Sequence, residues 1–162
     1  MKELAIIAPV KTPQDIEDFC THTKCRIFYV YHKRFMDNNF KYIEEFISVA
    51  KKNNCQIYVN FKHSIQEVDI TEIKKFITYL KTTQIDGVFI NSFAILEHLK
   101  TENLPFKVAI DSYFEIHNLA GIDFVNSFHK IDRLIITEEI YMKNIAKIKK
   151  YTKLKLAVDS DN

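Results

Sequence analysis

Two adjacent acidic residues, Glu138 and Glu139, stand where an apolar run ends and a helical pattern begins, in RLIITEEIYMKNIAKI. A carboxylate in such a place could act as a general acid or base on a bound substrate. Thr137, however, is suited to cap the helix, and the helix dipole stabilises acids in the first turn by roughly 0.3–1 kcal/mol each. Because neighbouring helix residues point about 100° apart, the two carboxylates do not easily share one substrate atom. The pattern favours a structural role for Glu138 and leaves both roles open for Glu139.

Polar side chains follow the other apolar runs of the chain as well. In parallel α/β proteins, ligands bind at the carboxyl ends of the strands, where the loop residues are not needed to pack the core. This rule predicts a site built from the residues that end the runs. Beside the two glutamates, these residues are Lys11, His32, Lys33, Arg34, Asn60, Lys62, His63, Asn91, Ser92, Asp111, Ser112 and Asp159.

Three of these residue types suit particular reactions. His32 or His63 could act as a general base or a metal ligand, but the chain has no HxH or HExxH spacing, so no metal site is predicted. Lys62 could form a Schiff base if burial made its amine neutral, although a solvent-facing lysine is the more common case. Asp111 and Asp159 lie in the similar phrases AIDS and AVDS, and could bind a divalent cation or act as acid and base. An Asp-Ser step is equally a signal for a turn or a helix cap.

Seven short apolar runs alternate with amphipathic stretches along the whole chain. Most runs are β-branched or aromatic and nearly continuous, as in parallel strands that are covered on both faces. Between the runs, apolar residues recur at helical spacing, as Ile73, Phe76 and Leu80 do. Thr12 and Pro13 mark a helix start as N-cap and first helical residue. The runs are residues 4–10, 26–32, 56–61, 87–92, 107–112, 133–137 and 154–160.

Strands that alternate with helices predict an α/β fold with a parallel sheet, and we expect a (β/α) barrel of the TIM type. A closed barrel needs eight strands. About seven strands therefore predict an incomplete barrel, with residues 1–162 as a single domain that is truncated at its C-terminus. Open apolar edges favour association, so we expect a homodimer or a partner protein to cover them. The alternative is an open doubly wound parallel sheet.

The composition excludes several classes of protein. A net charge of +2 and a pI near 8.3 are too mild to indicate nucleic-acid binding by charge alone. No apolar stretch is long enough to span a bilayer, so no membrane is expected as a partner. With only two glycines, a glycine-rich phosphate loop is excluded. Three cysteines without a CxxC pair predict reduced thiols and a cytoplasmic location, and they argue against a disulfide framework or a metal site.

Several short stretches resemble the collagenase-like peptidases of family U32, specifically the N-terminal barrel of that family. The chain opens with ELAIIAPVKT, which is similar to the family's ELLAPAG and keeps Ala8 and Pro9. QIDGVFINS resembles the family's fourth unit through Asp86 and Gly87. IDSYFEIHNLAGIDFV has Asn118 where the family has an asparagine. The resemblance extends over nearly all 162 residues.

The sixth unit, RLIITEEIYMKNIAKI, keeps the family's glutamate as Glu139, but Glu138 stands where relatives have an arginine. Residues 111–113 also lack the family's Ser-Thr-Gln segment. The family position favours a functional role for Glu139, as acid, base or orienting group, and implies Asn118 as a hydrogen-bond donor to the substrate. The predicted catalytic residues are Glu139, Asp111 and His32, and the predicted substrate-binding residues are Asn118, Lys62, Asn91 and Ser112.

The resemblance implies either a hydrolase or a factor related to RNA or quinone hydroxylation. The expected substrate is a small molecule, a peptide or an RNA-derived compound, bound at the carboxyl ends of the strands. The resemblance implies a cysteine cluster after the seventh strand that binds iron–sulfur in relatives. Because this chain lacks that region, we expect none of its residues to bind such a cluster, and its cofactor is unknown. The alternative function is a non-catalytic binding or assembly module.

Overall fold

A computed structural model describes residues 6–31, 40–61, 69–114, 116, 118–128, 131–136 and 142–158, without the side chains of 69 and 142–146. The strands are β1 (Ile7–Pro9), β2 (Ile27–Tyr31), β3 (Gln56–Asn60), β4 (Gly87–Ile90), β5 (Lys107–Ile110), β6 (Ile131–Ile136) and β7 (Lys155–Val158). The helices are α1 (Pro13–His22), α2 (Tyr42–Lys52), α3 (Asp69–Leu80), α4 (Phe93–Lys100), α5 (Leu119–Asn126) and α6 (Met142–Tyr151). A short 3-10 turn, Ser112–Phe114, lies between β5 and α5. None of these described helices is both long and apolar enough to cross a membrane.

The seven described strands lie in one sheet in chain order, β1 to β7. β1, β2 and β3 pair in parallel, and so do β5, β6 and β7. A doubly wound sheet reverses its strand order at a switch point, whereas a barrel sheet adds each strand next to the preceding one. The order therefore confirms the predicted incomplete TIM-type α/β fold of parallel strands with alternating helices. The doubly wound alternative is wrong.

The described chain forms two compact units, the first ending at Val88 and the second starting at Phe89. In the first unit, side chains of β2 and β3 alternate between the two faces of the sheet. Phe28 pairs with Ile57 on one face, and both side chains are fully buried. The ring of Phe28 lies 5.7 Å from the ring of Phe19 in α1, so this face packs against helix. A single domain over residues 1–162 stays a prediction.

The apolar stripe of α3 is buried, as its helical spacing predicts. Phe76 and Leu80 are fully buried, and Ile73 and Ile77 expose at most 5% of their surface. The ring centroid of Phe76 lies 6.0 Å from that of Phe61, which follows β3. Burying a side chain of this size contributes about 1.5–3 kcal/mol. The stripe therefore packs α3 against the end of β3, the strand that precedes it.

Helix α1 begins with a reciprocal hydrogen-bonded cap. The Thr12 hydroxyl accepts a hydrogen bond from the Asp15 backbone N–H at 3.3 Å, and the Asp15 carboxylate accepts from the Thr12 N–H at 2.9 Å. The Lys11 N–H donates to the same carboxylate at 2.7 Å. The backbone hydrogen bonds from Thr12 and Lys11 lower the pKa of Asp15. The helix start predicted from Thr12 and Pro13 is confirmed.

In the second unit, β5 and β6 share a register that shifts once. Ala109 pairs with Arg133, and Ile110 pairs with Leu134, after an irregularity between Val108 and Ala109. The Asp111 backbone N–H donates to a carbonyl of β4 at 2.8 Å, so the ends of β4 and β5 adjoin. The fully buried apolar side chains of this unit include Ile90, Ile110, Ile122, Val125 and Leu134.

Candidate functional site

The residues predicted to form the site fall into two groups. Those within the described residues are Lys11, Asn60, Asn91, Ser92, Asp111, Ser112 and Asn118. The others lie outside the described residues, and they are His32, Lys33, Arg34, Lys62, His63, Glu138, Glu139 and Asp159. The roles assigned to Glu139, His32 and Lys62 therefore stay predictions.

In the first unit, Asn60 ends β3 beside two tyrosines of β2. Asn60 pairs with Tyr31, and Tyr58 pairs with Tyr29, so the four side chains share the sheet face opposite Phe28. The hydroxyls of Tyr29 and Tyr31 lie 3.4 Å apart. Asn60 and Tyr58 are buried, whereas Tyr29 and Tyr31 are half-buried. The face thus combines phenol and amide groups, which can donate and accept hydrogen bonds.

In the second unit, Asp111 and Ser112 form a buried hydrogen-bonded pair directly after β5. Asp111 exposes 3% of its surface and Ser112 exposes 6%. One Asp111 oxygen, Oδ1, accepts hydrogen bonds from the Ser112 hydroxyl at 3.1 Å and from the Tyr113 N–H at 3.3 Å. The Asp-Ser step therefore makes the turn that its residue types indicate, and it holds a carboxyl group at the end of the strand.

Asn91 and Ser92 follow β4, and the bond between β4 and Asp111 brings the two strand ends side by side. Ser92 stands at the start of α4, where its carbonyl accepts the Leu96 N–H at 3.0 Å. Asn91 is half-buried. Asn91 comes directly after Ile90, and Ser112 comes directly after Asp111. The structure therefore brings the predicted residues Asn91, Asp111 and Ser112 together at the ends of β4 and β5.

Two residues that the family resemblance singled out have structural partners. Asn118 caps α5, because its Oδ1 accepts the Gly121 N–H at 2.9 Å. Its substrate-binding role stays a prediction, since this bond uses the side-chain oxygen and the predicted role uses the amide nitrogen. Asp86 accepts hydrogen bonds from the Lys51 ammonium at 2.8 Å and from the Ile57 N–H at 2.9 Å. Asp86 therefore ties α2 and β3 to the start of β4.

One buried polar residue of the second unit, Arg133, was not predicted by the strand-end rule, because it lies inside a strand. It exposes 7% of its surface in the middle of β6. Among the residues that the structure describes, its Nε has no hydrogen-bond partner. The sequence signal is the charged pair Asp132–Arg133 inside a strand whose other residues are apolar.

The three cysteines do not form a metal-binding cluster. Cys20 and Cys55 approach each other with sulfur atoms 3.3 Å apart, while the Cys25 thiol donates to the Ile6 carbonyl at 3.4 Å. Within the described ranges, no group of three or more His, Cys, Asp or Glu residues could hold a metal ion. These residues do not fit an iron–sulfur cluster, which needs about four cysteine ligands.

The buried thiol of Cys55 and the phenol of Tyr79 predict a loss of stability at alkaline pH. Burial, and then the contact with Cys20, raises the pKa of Cys55 to about 12. Burial, and then the 2.5 Å hydrogen bond to Glu44, raises the pKa of Tyr79 to about 12. Unfolding restores the ordinary pKa values near 9 and 10, so the unfolded chain loses these protons first. The free energy of unfolding should therefore be unaffected by these groups below about pH 9 and should fall as the pH rises towards 12.

Urea unfolding curves at several pH values measure this effect. We expect Tyr79→Phe and Cys55→Ala each to flatten the alkaline decline, because each substitution removes one of the two groups. Variants that follow the wild-type pH dependence would show that other groups cause the decline.

The fold and the strand-end residues define a class of protein, an α/β protein with the parallel strands of an incomplete TIM-type barrel. The family to which it belongs follows from its sequence. The model of peptidase family U32 matches residues 25–159. The chain belongs to this family, as its resemblance to the collagenase-like peptidases predicted. Membership supports a hydrolase-like function at the level of the family.

Solved structures agree with the fold. The structure of the U32 peptidase Mk0906 matches with a TM-score of 0.73 at 12% sequence identity, over 98% of this chain and 70% of that one. An enolase from environmental shotgun sequencing of the Sargasso Sea matches with a TM-score of 0.69 at 12% identity, over 96% of this chain and 44% of that one. No curated protein matches the sequence. At these identities the structural similarity concerns the fold alone.

Proposed function

We propose that the chain is a hydrolase-like U32 protein that binds a peptide at the carboxyl ends of its strands. Among the expected substrate classes, peptides agree best with a peptidase family. The observation that carries the proposal is the buried pair of Asp111 and Ser112 beside Asn91. In the proposed reaction, Asp111 transfers protons as acid or base, and the Ser112 hydroxyl and Asn91 amide bind the substrate.

The hydrogen bonds of Asp111 explain how the carboxyl group would be oriented. Oδ1 accepts from Ser112 and Tyr113, and these two bonds fix the orientation of the carboxyl group at the end of the strand. Glu139 would act as a second acid or base, and His32 and Lys62 would add a base and a substrate contact, as the sequence predicts. Reduced cysteines agree with a cytoplasmic location, since Cys20, Cys25 and Cys55 are all free thiols.

An assay with fluorescently labelled gelatin tests this proposal. Asp111→Asn should lower the rate of hydrolysis at least about tenfold, the lower range for a proton-transfer group. The substituted amide keeps an oxygen that can accept from Ser112 and Tyr113, so the turn should persist, and the melting temperature checks this. Asp123→Asn, at an exposed acid of α5, is the matched control and should keep the wild-type rate. Equal rates for the two variants would refute the role of Asp111.

The second candidate is a non-catalytic binding or assembly module. Exposed aromatic rings in the second unit favour it, because Phe93 is 59% exposed and Phe124 is 44% exposed, with their centroids 5.5 Å apart. Such exposed apolar surface is typical of contact with another protein. A wild-type protein that binds gelatin without cleaving it would support this candidate over the hydrolase.

A further inference from the structure

Arg133 is a buried cation, and one nitrogen of its guanidinium has no acceptor among the described residues. It exposes 7% of its surface, and within the described part of the chain its Nε lacks an acceptor. The acid next to it in sequence, Asp132, is bound elsewhere, since its carboxylate accepts from the Lys155 ammonium at 3.0 Å. A buried charge that is neither paired nor hydrogen-bonded is strongly unfavourable. The cost indicates that a group other than the described residues compensates this part of the guanidinium, and a bound ligand is one such group.

The register of β5 and β6 places Arg133 on the same sheet face as Asp111. Ala109 pairs with Arg133, and side chains two residues apart on a strand share a face, so Asp111 lies diagonally ahead of the guanidinium. At strand spacings, the two Cα atoms are about 8 Å apart, within reach of a long side chain. Ala109 has the small side chain that leaves room beside an arginine.

Burial distinguishes this face from the opposite one. Leu134 and Ile136 alternate with Arg133 along β6 and expose at most 1% of their surface. Ile135, on the face of Arg133, is half-buried. Along β6, the residues on the face of Leu134 are therefore more deeply buried than Ile135 on the face of Arg133. Arg133 lies one pleat below Ile135, at the floor of the proposed site.

We propose that Arg133 binds the carboxylate of the substrate, as the anchor of the site that Asp111 and Ser112 form at the strand ends. This inference rests on the proposed function and adds a substrate feature to it, a free carboxylate such as the C-terminus of a short peptide. Guanidinium groups bind carboxylates through paired, parallel hydrogen bonds that fix orientation. A carboxylate held at the floor would direct the rest of the peptide towards Asp111.

Asp111 favours a carboxylate over a phosphate. Both anions suit a guanidinium. A doubly charged phosphate close to the Asp111 carboxylate is repelled more strongly than a singly charged carboxylate. A peptide also has an N–H group near its C-terminus that can donate to an acidic oxygen.

Thermal unfolding with and without a ligand tests the inference. The probes are millimolar trialanine, its C-terminal amide, and inorganic phosphate. Trialanine should raise the melting temperature of the wild type by at least about 2–4 °C, and the amide should not. Arg133→Met should abolish the response to trialanine. Without ligand, the same variant should melt about 2–4 °C higher, because an apolar side chain replaces an uncompensated charge.

Arg26→Met is the matched control, because Arg26 is exposed and its guanidinium donates to the Thr23 carbonyl at 3.0 Å. This variant should keep the trialanine response. Three outcomes would overturn the inference: a lower melting temperature for Arg133→Met, equal responses to trialanine and its amide, or a response to trialanine that survives Arg133→Met.

The outcomes also separate this inference from the proposed function. Gelatin hydrolysis that depends on Asp111, with a trialanine response independent of Arg133, overturns the carboxylate anchor and leaves the hydrolase proposal standing. A trialanine response that depends on Arg133, without any gelatin hydrolysis, supports the anchor and overturns the hydrolase. A response to phosphate alone that depends on Arg133 overturns the choice of carboxylate.

Discussion

Phe76→Ala is expected to lower the free energy of unfolding by about 3–5 kcal/mol, the usual cost of truncating a buried phenylalanine. Phe76 is fully buried, and its ring centroid lies 4.9 Å from that of Phe40 and 6.0 Å from that of Phe61. Tyr42 and Tyr79 stack nearly parallel to it, each at 6.4 Å. Truncation therefore removes the centre of an aromatic cluster that joins α2, α3 and the end of β3.

Urea unfolding followed by far-ultraviolet circular dichroism measures this loss. Phe124→Ala is the matched control, because Phe124 is 44% exposed, and it should cost about 1 kcal/mol or less. If the two variants lost equal stability, the cluster around Phe76 would not be the main core of the first unit. A loss below about 1 kcal/mol for Phe76→Ala would mean that the neighbouring rings close the cavity.

The fold could be predicted from sequence because its signals are local and repeated. The stripe of Ile73, Phe76 and Leu80 follows from helical spacing, and burial of these residues confirms it. The count and order of the apolar runs were enough to predict sequential parallel strands. Boundaries were less accurate. The predicted strand of residues 87–92 ends at Ile90, because Ser92 begins the approach to α4.

The start of strand β6 is a feature that local sequence patterns do not predict. Its predicted start was Arg133, yet the strand begins two residues earlier, at Ile131. A charged pair at that point indicates a loop when the sequence is considered alone. In the sheet, Asp132 is bound by Lys155 of β7, which is more than twenty residues later in the chain. Ile131 also pairs with Val108 of β5, so pairing across strands decides the boundary, and no local pattern contains it.

The candidate site was predictable in part for the same reason. Asp111 and Ser112 follow β5 directly, so the strand-end rule finds them. Arg133 lies in mid-strand, and its burial beside Ala109 depends on the register of two strands. The family resemblance also selects residues without stating what they do. Asn118 caps a helix. Asp86 has a structural role, and the free energy of unfolding that is lost when it is replaced can be measured.

Asp86→Ala is expected to lower the free energy of unfolding by about 2–3 kcal/mol. Its Oδ2 accepts from the Lys51 ammonium at 2.8 Å and from the Ile57 backbone N–H at 2.9 Å. Ile57 is fully buried, so its N–H would lose its acceptor in a place that water does not reach easily. An orphaned buried donor costs about 1–3 kcal/mol, and a hydrogen bond to a charged group contributes about 1.5–3 kcal/mol.

A second variant identifies which bond of Asp86 matters more, and a third breaks an unrelated ion pair for comparison. Lys51→Met removes the ion pair and keeps the backbone bond, and since the Lys51 side chain is 36% exposed, it should cost at most about 1 kcal/mol. Asp132→Ala breaks the exposed pair with Lys155 and should cost a similarly small amount. Urea unfolding at low and high salt measures all three losses, and salt should reduce only the part that comes from ion pairs. If Lys51→Met were as costly as Asp86→Ala, the ion pair would hold this corner of the sheet, and the backbone bond to Ile57 would contribute little.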